Sequence, residues 1–219
     1  MGGEEFVTVV RHPIEHRLWH WVFFVTMGVM ALTGIDMYLT YSTFGYSVSG
    51  GFSLARSWHI LFALLAASWA VPVFLYIYAV TGELRELIPV ASDIAILRQI
   101  TSDFLGLSAY YPEHSTYDVK GKRYYKKYNP GQKLVYGGIL LFLILQGFTG
   151  FAMFWPDTFG FVFAVLGDIV NVRALHVTLM YAILGLVTMH IYMAVIPPNW
   201  VSLKSMFIGR ASERVHRST

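Results

Sequence analysis

Two histidines, at positions 176 and 190, stand fourteen residues apart in the apolar stretch NVRALHVTLMYAILGLVTMHIYMAVI, residues 171–196. A titratable ring is costly in hydrocarbon, and residues of this kind usually mark a function. Three roles are open to such a ring. It can hydrogen-bond a neighbouring helix, relay protons, or bind a metal through a ring nitrogen. Fourteen residues at about 1.5 Å each separate the two rings by roughly 21 Å along a helix axis. Fourteen steps of about 100° make nearly four turns, so both rings point to about the same side. That arrangement suits two cofactor sites stacked through a helical bundle, one near each membrane surface.

The elements that must hold these residues follow from hydropathy. Four stretches are apolar over the roughly 20 residues that a spanning helix needs: about 18–39, 57–80, 133–154 and 172–196. Pro72 predicts a kink in the second, which neighbouring helices can accommodate. Lys and Arg crowd into the N-terminal tail, the connection at about 82–131 and the C-terminal tail. The connections TYSTFGYSVSGGFSLA and WPDTFGFVFAVLGDIVN contain neither. By the positive-inside rule both termini and the long connection are cytoplasmic. The expected fold is an all-α integral membrane protein, a four-transmembrane-helix bundle, with residues 1–219 forming one domain.

This topology sorts the histidines by depth. Of the eight, His12, His16, His114 and His216 fall outside the spans and read as surface residues. His20 and His190 share the inner level, and His59 and His176 the outer. Each pair comes from two helices, as the two axial ligands of one haem require. A single intramembrane histidine could be satisfied by a carbonyl or hydroxyl of the next helix. Four that sort into two depth-matched pairs point to two haem b groups. Arg56 and Arg173 each stand three residues before an outer histidine, where a guanidinium can pair with a haem propionate. Simple snorkelling to the interface is the plainer alternative. Gly28, Gly34, Gly147, Gly150 and Gly185 would let a porphyrin, or another helix, approach the backbone.

Composition narrows the chemistry. The chain is 56% hydrophobic and 13% charged, and has no cysteine. The lack of cysteine excludes disulfides, Cys-bound iron–sulfur clusters and covalently attached c-type haem. A net charge of +3 bears on membrane topology, and nucleic-acid binding is not expected. The start MGGEEFVTVV has no basic n-region or cleavage site, so it is not read as a signal peptide. No internal repeat is evident. The connection GELRELIPVASDIAILRQITSDFLGL suits short amphipathic helices at the membrane surface. The Tyr- and Lys-rich stretch after it reads as a solvated face. KYNPGQK, just before the third span, has two readings. Asn129, Pro130 and Gln132 match a helix start with a capping box. The same amides and free backbone N–H groups could hold a quinone carbonyl.

Taken together, RLWHW, ARSWH, KYNPGQK, RALHVTLMYAILGLVTMHIYMA and SMFIGRAS resemble the cytochrome b, or gamma, subunits of membrane-bound formate dehydrogenases. They are more loosely similar to the b-type cytochromes of nickel–iron hydrogenases. The resemblance runs over essentially the whole chain. It implies an electron-transport subunit with two haem b groups, held by His59 with His176 and by His20 with His190. It also implies a menaquinone or similar quinone at Asn129, Gly131, Gln132 and His190. Iron–sulfur and catalytic subunits would lie on the outer side, in a complex that could assemble further. The place implied is the cytoplasmic membrane of a prokaryote, and the substrate chemistry would belong to another subunit. A hydrogenase or another periplasmic oxidoreductase is the nearest alternative partner. A haem-free anchor or small transporter, with proton-relay histidines, is the alternative of another class.

Overall fold

Mostly apolar runs form four long helical segments in a computed structural model of the chain, which describes residues 5–42, 50–107, 116–124 and 127–215. Helix α1 spans Ile14–Ser42. The second spanning segment, Phe52–Val80, has three parts: α2 (Phe52–Leu65), a π-helical turn (Ala66–Ala70) and α3 (Val71–Val80). Pro72 has no N–H to offer the carbonyl of Ser68. The widened turn over Ala66–Ala70 is how the helix absorbs that defect. Short helices α4 (Glu83–Glu86) and α5 (Ala91–Phe104) follow, as the amphipathic pattern predicts. Next come strands β2 (Thr116–Asp118) and β3 (Arg123–Tyr124), then α6 (Pro130–Phe154). Helices α7 (Gly160–Leu166), α8 (Ile169–Val195) and α9 (Trp200–Ile208) complete the helical part. All four long segments are long and apolar enough to cross a membrane.

The expectation of an all-α chain needs one correction. Strand β1 (Phe6–Val10) pairs antiparallel with β4 (Arg210–Val215). Strand β2 adds parallel to β4 and carries β3, so the sheet order is β1-β4-β2-β3. The β-branched run FVTVV favours an extended conformation, but its partner lies at the far end of the chain. His114 and His216 lie outside the described residues.

Two compact units emerge. The first comprises Met1–Arg17, Tyr78–Ile139 and Leu186–Thr219. It contains the sheet, α4, α5 and α9, and its interior is polar. Glu213 faces inward from β4 and forms a buried ion pair with Arg11. Lys127 and Glu83 make a second pair, and Lys133 reaches Asp93 at 3.0 Å. Lys127 is thus not part of a solvated face: it is only 6% exposed. Burial lowers its ammonium pKa, with Glu83 opposing the shift. The Tyr124 and Tyr128 phenols are pushed up, again chiefly by burial.

The second unit comprises Leu18–Ile77 and Leu140–Gly185, and its contacts are mainly apolar. Trp19 meets Trp69, and Phe23 stacks on Phe74. Ala152, Val162 and Val172 form a buried cluster, covered by Met153, Phe159, Phe163 and Leu166. Helix α7 therefore does more than close a short loop: its apolar residues recur at helical spacing and pack on the neighbouring helices. Many remaining apolar side chains are exposed, Leu32 and Val170 among them. Lipid contact would account for that exposure.

Candidate functional site

The second unit brings His59 and His176 together. Helix α2 carries the first and α8 the second, and both rings are half-buried. Their ring centres are 6.3 Å apart, with the planes inclined at 72°. An imidazole nitrogen sits roughly 2 Å from a first-row metal ion, so two rings on opposite sides of one ion have centres about 6 Å apart. The observed separation meets that requirement.

Each ring is held through Nδ1. His59 Nδ1 lies 2.9 Å from the carbonyl of Met30 and 3.1 Å from Thr33 Oγ1. A carbonyl only accepts, so the proton must be on Nδ1. The Thr33 hydroxyl spends its own proton on the carbonyl of Val29, at 2.7 Å, and is left to accept from His59. His176 repeats the pattern. Its Nδ1 is 2.9 Å from Thr149 Oγ1, and the ring also bonds the backbone of Gln146. Thr149 in turn donates to the carbonyls of Leu145 and Gln146. Both rings are therefore in the tautomer that leaves Nε2 with a free lone pair, as metal ligation through that nitrogen requires.

Glycines let the rings come this close to the backbone. A Cβ on Gly34 would lie 3.3 Å from Cε1 of His59, and one on Gly150 would lie 3.1 Å from Cε1 of His176. These two glycines face the histidine rings. At Gly28, Gly147 and Gly185 an added Cβ would meet nothing within 4 Å.

The supporting residues escaped the reading of the sequence, although a signal was present. Thr33-Gly34 and Thr149-Gly150 are the same dipeptide in the first and third spans. They precede their histidines by 26 and 27 residues.

The other expected residues are placed as follows. Arg56 and Arg173 are exposed, each on the helix of its neighbouring histidine. His190, in the first unit, lies against Tyr136, with ring centres 5.4 Å apart. His20, in the second, meets Trp21 edge-on at 5.1 Å. Asn129 and Gln132 form the capping box: Asn129 Oδ1 accepts from the Gln132 N–H at 2.9 Å, and Gln132 Oε1 accepts from the Asn129 N–H at 3.0 Å. The caps use the amide oxygens, so both side-chain NH2 groups keep their donors for something else. A Cβ on Gly131 would stand 3.2 Å from Asn129 Oδ1, so glycine suits the tight cap.

A donor set of paired, tautomer-fixed histidines in a membrane helix bundle fits haem iron. The sequence model of the family described as prokaryotic cytochrome b561 matches residues 11–209 of this chain. The chain belongs to that family. It is a b-type cytochrome membrane subunit and a multi-pass membrane protein. A related protein is the "Formate dehydrogenase, nitrate-inducible, cytochrome b556(Fdn) subunit" of Escherichia coli strain K12. It is 27% identical over 211 residues, which cover 94% of this chain and 85% of the relative. The subunits of the same name from Escherichia coli O157:H7 and Shigella flexneri match to the same extent.

His16 requires a correction. It was expected at the surface. Helix α1 begins at Ile14, so His16 lies on its first turn, and it is only 2% exposed. Its ring stacks on Tyr78 at 4.9 Å.

Proposed function

We propose that this cytochrome is the dihaem membrane anchor of a formate dehydrogenase in a prokaryotic cytoplasmic membrane. It would relay electrons from an iron–sulfur subunit on the outer side to a quinone near the cytoplasmic face. The observation that carries the reading is the His59–His176 pair, with both Nδ1 atoms engaged and ring centres 6.3 Å apart. A bound b-type haem supplies one-electron redox chemistry. His59 and His176 would hold one such group, with Arg56 and Arg173 placed to meet its propionates. His20 and His190 are proposed for the second, on their matched depth.

The remaining roles follow from chemistry and spacing. The roughly 21 Å between His176 and His190 along α8 sets the two sites near opposite membrane surfaces. Asn129 and Gln132, with Gly131 between them, would orient a menaquinone-like head group through their uncommitted amide donors, close to His190. Both chain ends and the middle connection supply strands to one sheet. That supports placing them on one side of the membrane, and the excess of Lys and Arg there supports the cytoplasmic side. The named relatives are formate dehydrogenase subunits, which supports catalytic and iron–sulfur subunits as partners.

Haem content tests the reading. The purified chain is expected to bind two haem b per polypeptide, measured by reduced-minus-oxidised spectra of known protein amounts. His59→Ala and His176→Ala are each expected to leave one haem, with the same residual spectrum. A chain without a b-type α-band, or variants that both keep two haems, would sink it.

A further inference from the structure

The buried His16 has a use that packing does not explain. Among the described residues, neither of its ring nitrogens has a hydrogen-bond partner. Its stacking on Tyr78 at an interplanar angle of 21° is a contact that a phenyl ring would make equally well. A neutral imidazole carries one donor and one acceptor, and buried polar groups left unmatched call for a specific reason, a catalytic role or a bound water among them.

The surroundings suggest which. The charges acting on His16 are those of Glu83, Lys127 and Glu15. Glu83 pairs with Lys127 through one carboxylate oxygen and accepts from the Tyr128 hydroxyl at 2.6 Å through the other. Lys127 also donates to the carbonyl of Arg11 at 3.3 Å, and Arg11 in turn pairs with Glu213 beside Tyr124. Tyr128 immediately precedes the Asn129 cap. Its ring meets Tyr136 at 5.7 Å, and Tyr136 meets His190. All these groups belong to the first unit. An unmatched imidazole, a carboxylate whose charge acts on it and a phenol bonded to that carboxylate thus share one unit with the residues proposed to hold the quinone.

We propose that His16 and Glu83 are the proton-loading site for quinone reduction, with the Tyr128 hydroxyl as the link toward the Asn129 cap. The inference rests on the quinone reading above. A quinone becomes a quinol by gaining two electrons and two protons on its carbonyl oxygens. The electrons come from the reduced cytochrome. Each proton leaves the His16–Glu83 cluster, passes along the Tyr128 hydrogen bond and is replaced from water on the side of the first unit. Imidazole is suited to this because it loads and releases protons near neutral pH.

The test uses the full chain with its haem in detergent and a short-chain 1,4-naphthoquinone as acceptor. His16→Phe keeps the stack on Tyr78 and removes both nitrogens. The haem spectrum and the affinity for the naphthoquinone, read by fluorescence quenching, are expected to stay within about twofold. Oxidation of the pre-reduced haem by the quinone is expected to slow by roughly 10²-fold, the scale of general acid catalysis. Added imidazole should restore part of that rate. Ferricyanide takes one electron and no proton, and should oxidise the variant at the wild-type rate. Should His16→Phe fail to accumulate, His16→Gln carries the same expectation. An unslowed quinone rate overturns the proposal. So does equal slowing with ferricyanide, or a lost affinity, either of which would mark a structural role. A wild-type chain that cannot pass electrons to the naphthoquinone fails the quinone reading itself, and this proposal with it.

Discussion

The bonds that hold the paired histidines of the second unit differ in kind from those of the buried ion-pair cluster of the first. In the second, the His59 and His176 rings are fixed by neutral partners: two backbone carbonyls and two threonine hydroxyls. In the first, buried lysine, arginine and glutamate pair with one another, and phenols join them. A charge in hydrocarbon is expensive, and the two rings are held without one. If His59 and His176 carry a haem as proposed, the contrast sets neutral, rigid support for an electron carrier against titratable groups able to exchange protons.

Breaking a charge pair should therefore harm the first unit more than any neutral change harms the second. Glu83→Ala leaves Lys127 buried without its counter-ion. Removing one partner of a buried pair costs about 3–5 kcal/mol. The expected outcome is a lowered unfolding midpoint in detergent, with the haem proposed at His59 and His176 still bound in the protein that remains folded. A midpoint equal to wild type would show that Lys127 finds water, and the contrast between the units would then collapse.

Gly150→Ala probes the neutral side. The new methyl would lie 3.1 Å from Cε1 of His176, closer than the 3.3 Å at Gly34. Overpacking of this kind costs about 1–3 kcal/mol. The alanine should weaken haem retention at the outer pair, and Gly34→Ala should weaken it less. Haem titration of the two variants would show the order, and a reversed order would mean the His176 side yields more easily than its distances suggest.

The long helices were legible because hydropathy is a local signal along the chain. The sheet was not. Strands β1 and β4 lie in opposite tails, and neither five nor six residues announce a partner so far away. His16 was misplaced because the helix was begun at the first uninterrupted apolar residue. Pro13, whose carbonyl accepts the Arg17 N–H at 3.2 Å, marks an earlier start. The capping box was read correctly from residue types alone, since its bonds span three residues. The threonines went unnoticed because Thr-Gly is common, and only the pairing with histidines 26 and 27 residues later gives it meaning.

The smallest effect is the most specific. Thr149→Val keeps the shape near His176 and removes the hydroxyl that accepts from Nδ1. The ring still has the Gln146 backbone, so the tautomer should survive and the ligand should remain bound. What is lost is one of two anchors. Partners of this kind are worth about 10-fold in metal affinity at the low end, or about 1.4 kcal/mol. Thr33→Val should act alike on His59, whose second anchor is the Met30 carbonyl. If the two anchors are equivalent, the two variants should raise the haem dissociation rate by similar factors. On the proposal that both threonines support ligands to a single iron, their effects should couple, so the double variant should depart from the product of the two. A double variant well off the product would place His59 and His176 on the same haem, and a clean product would separate them.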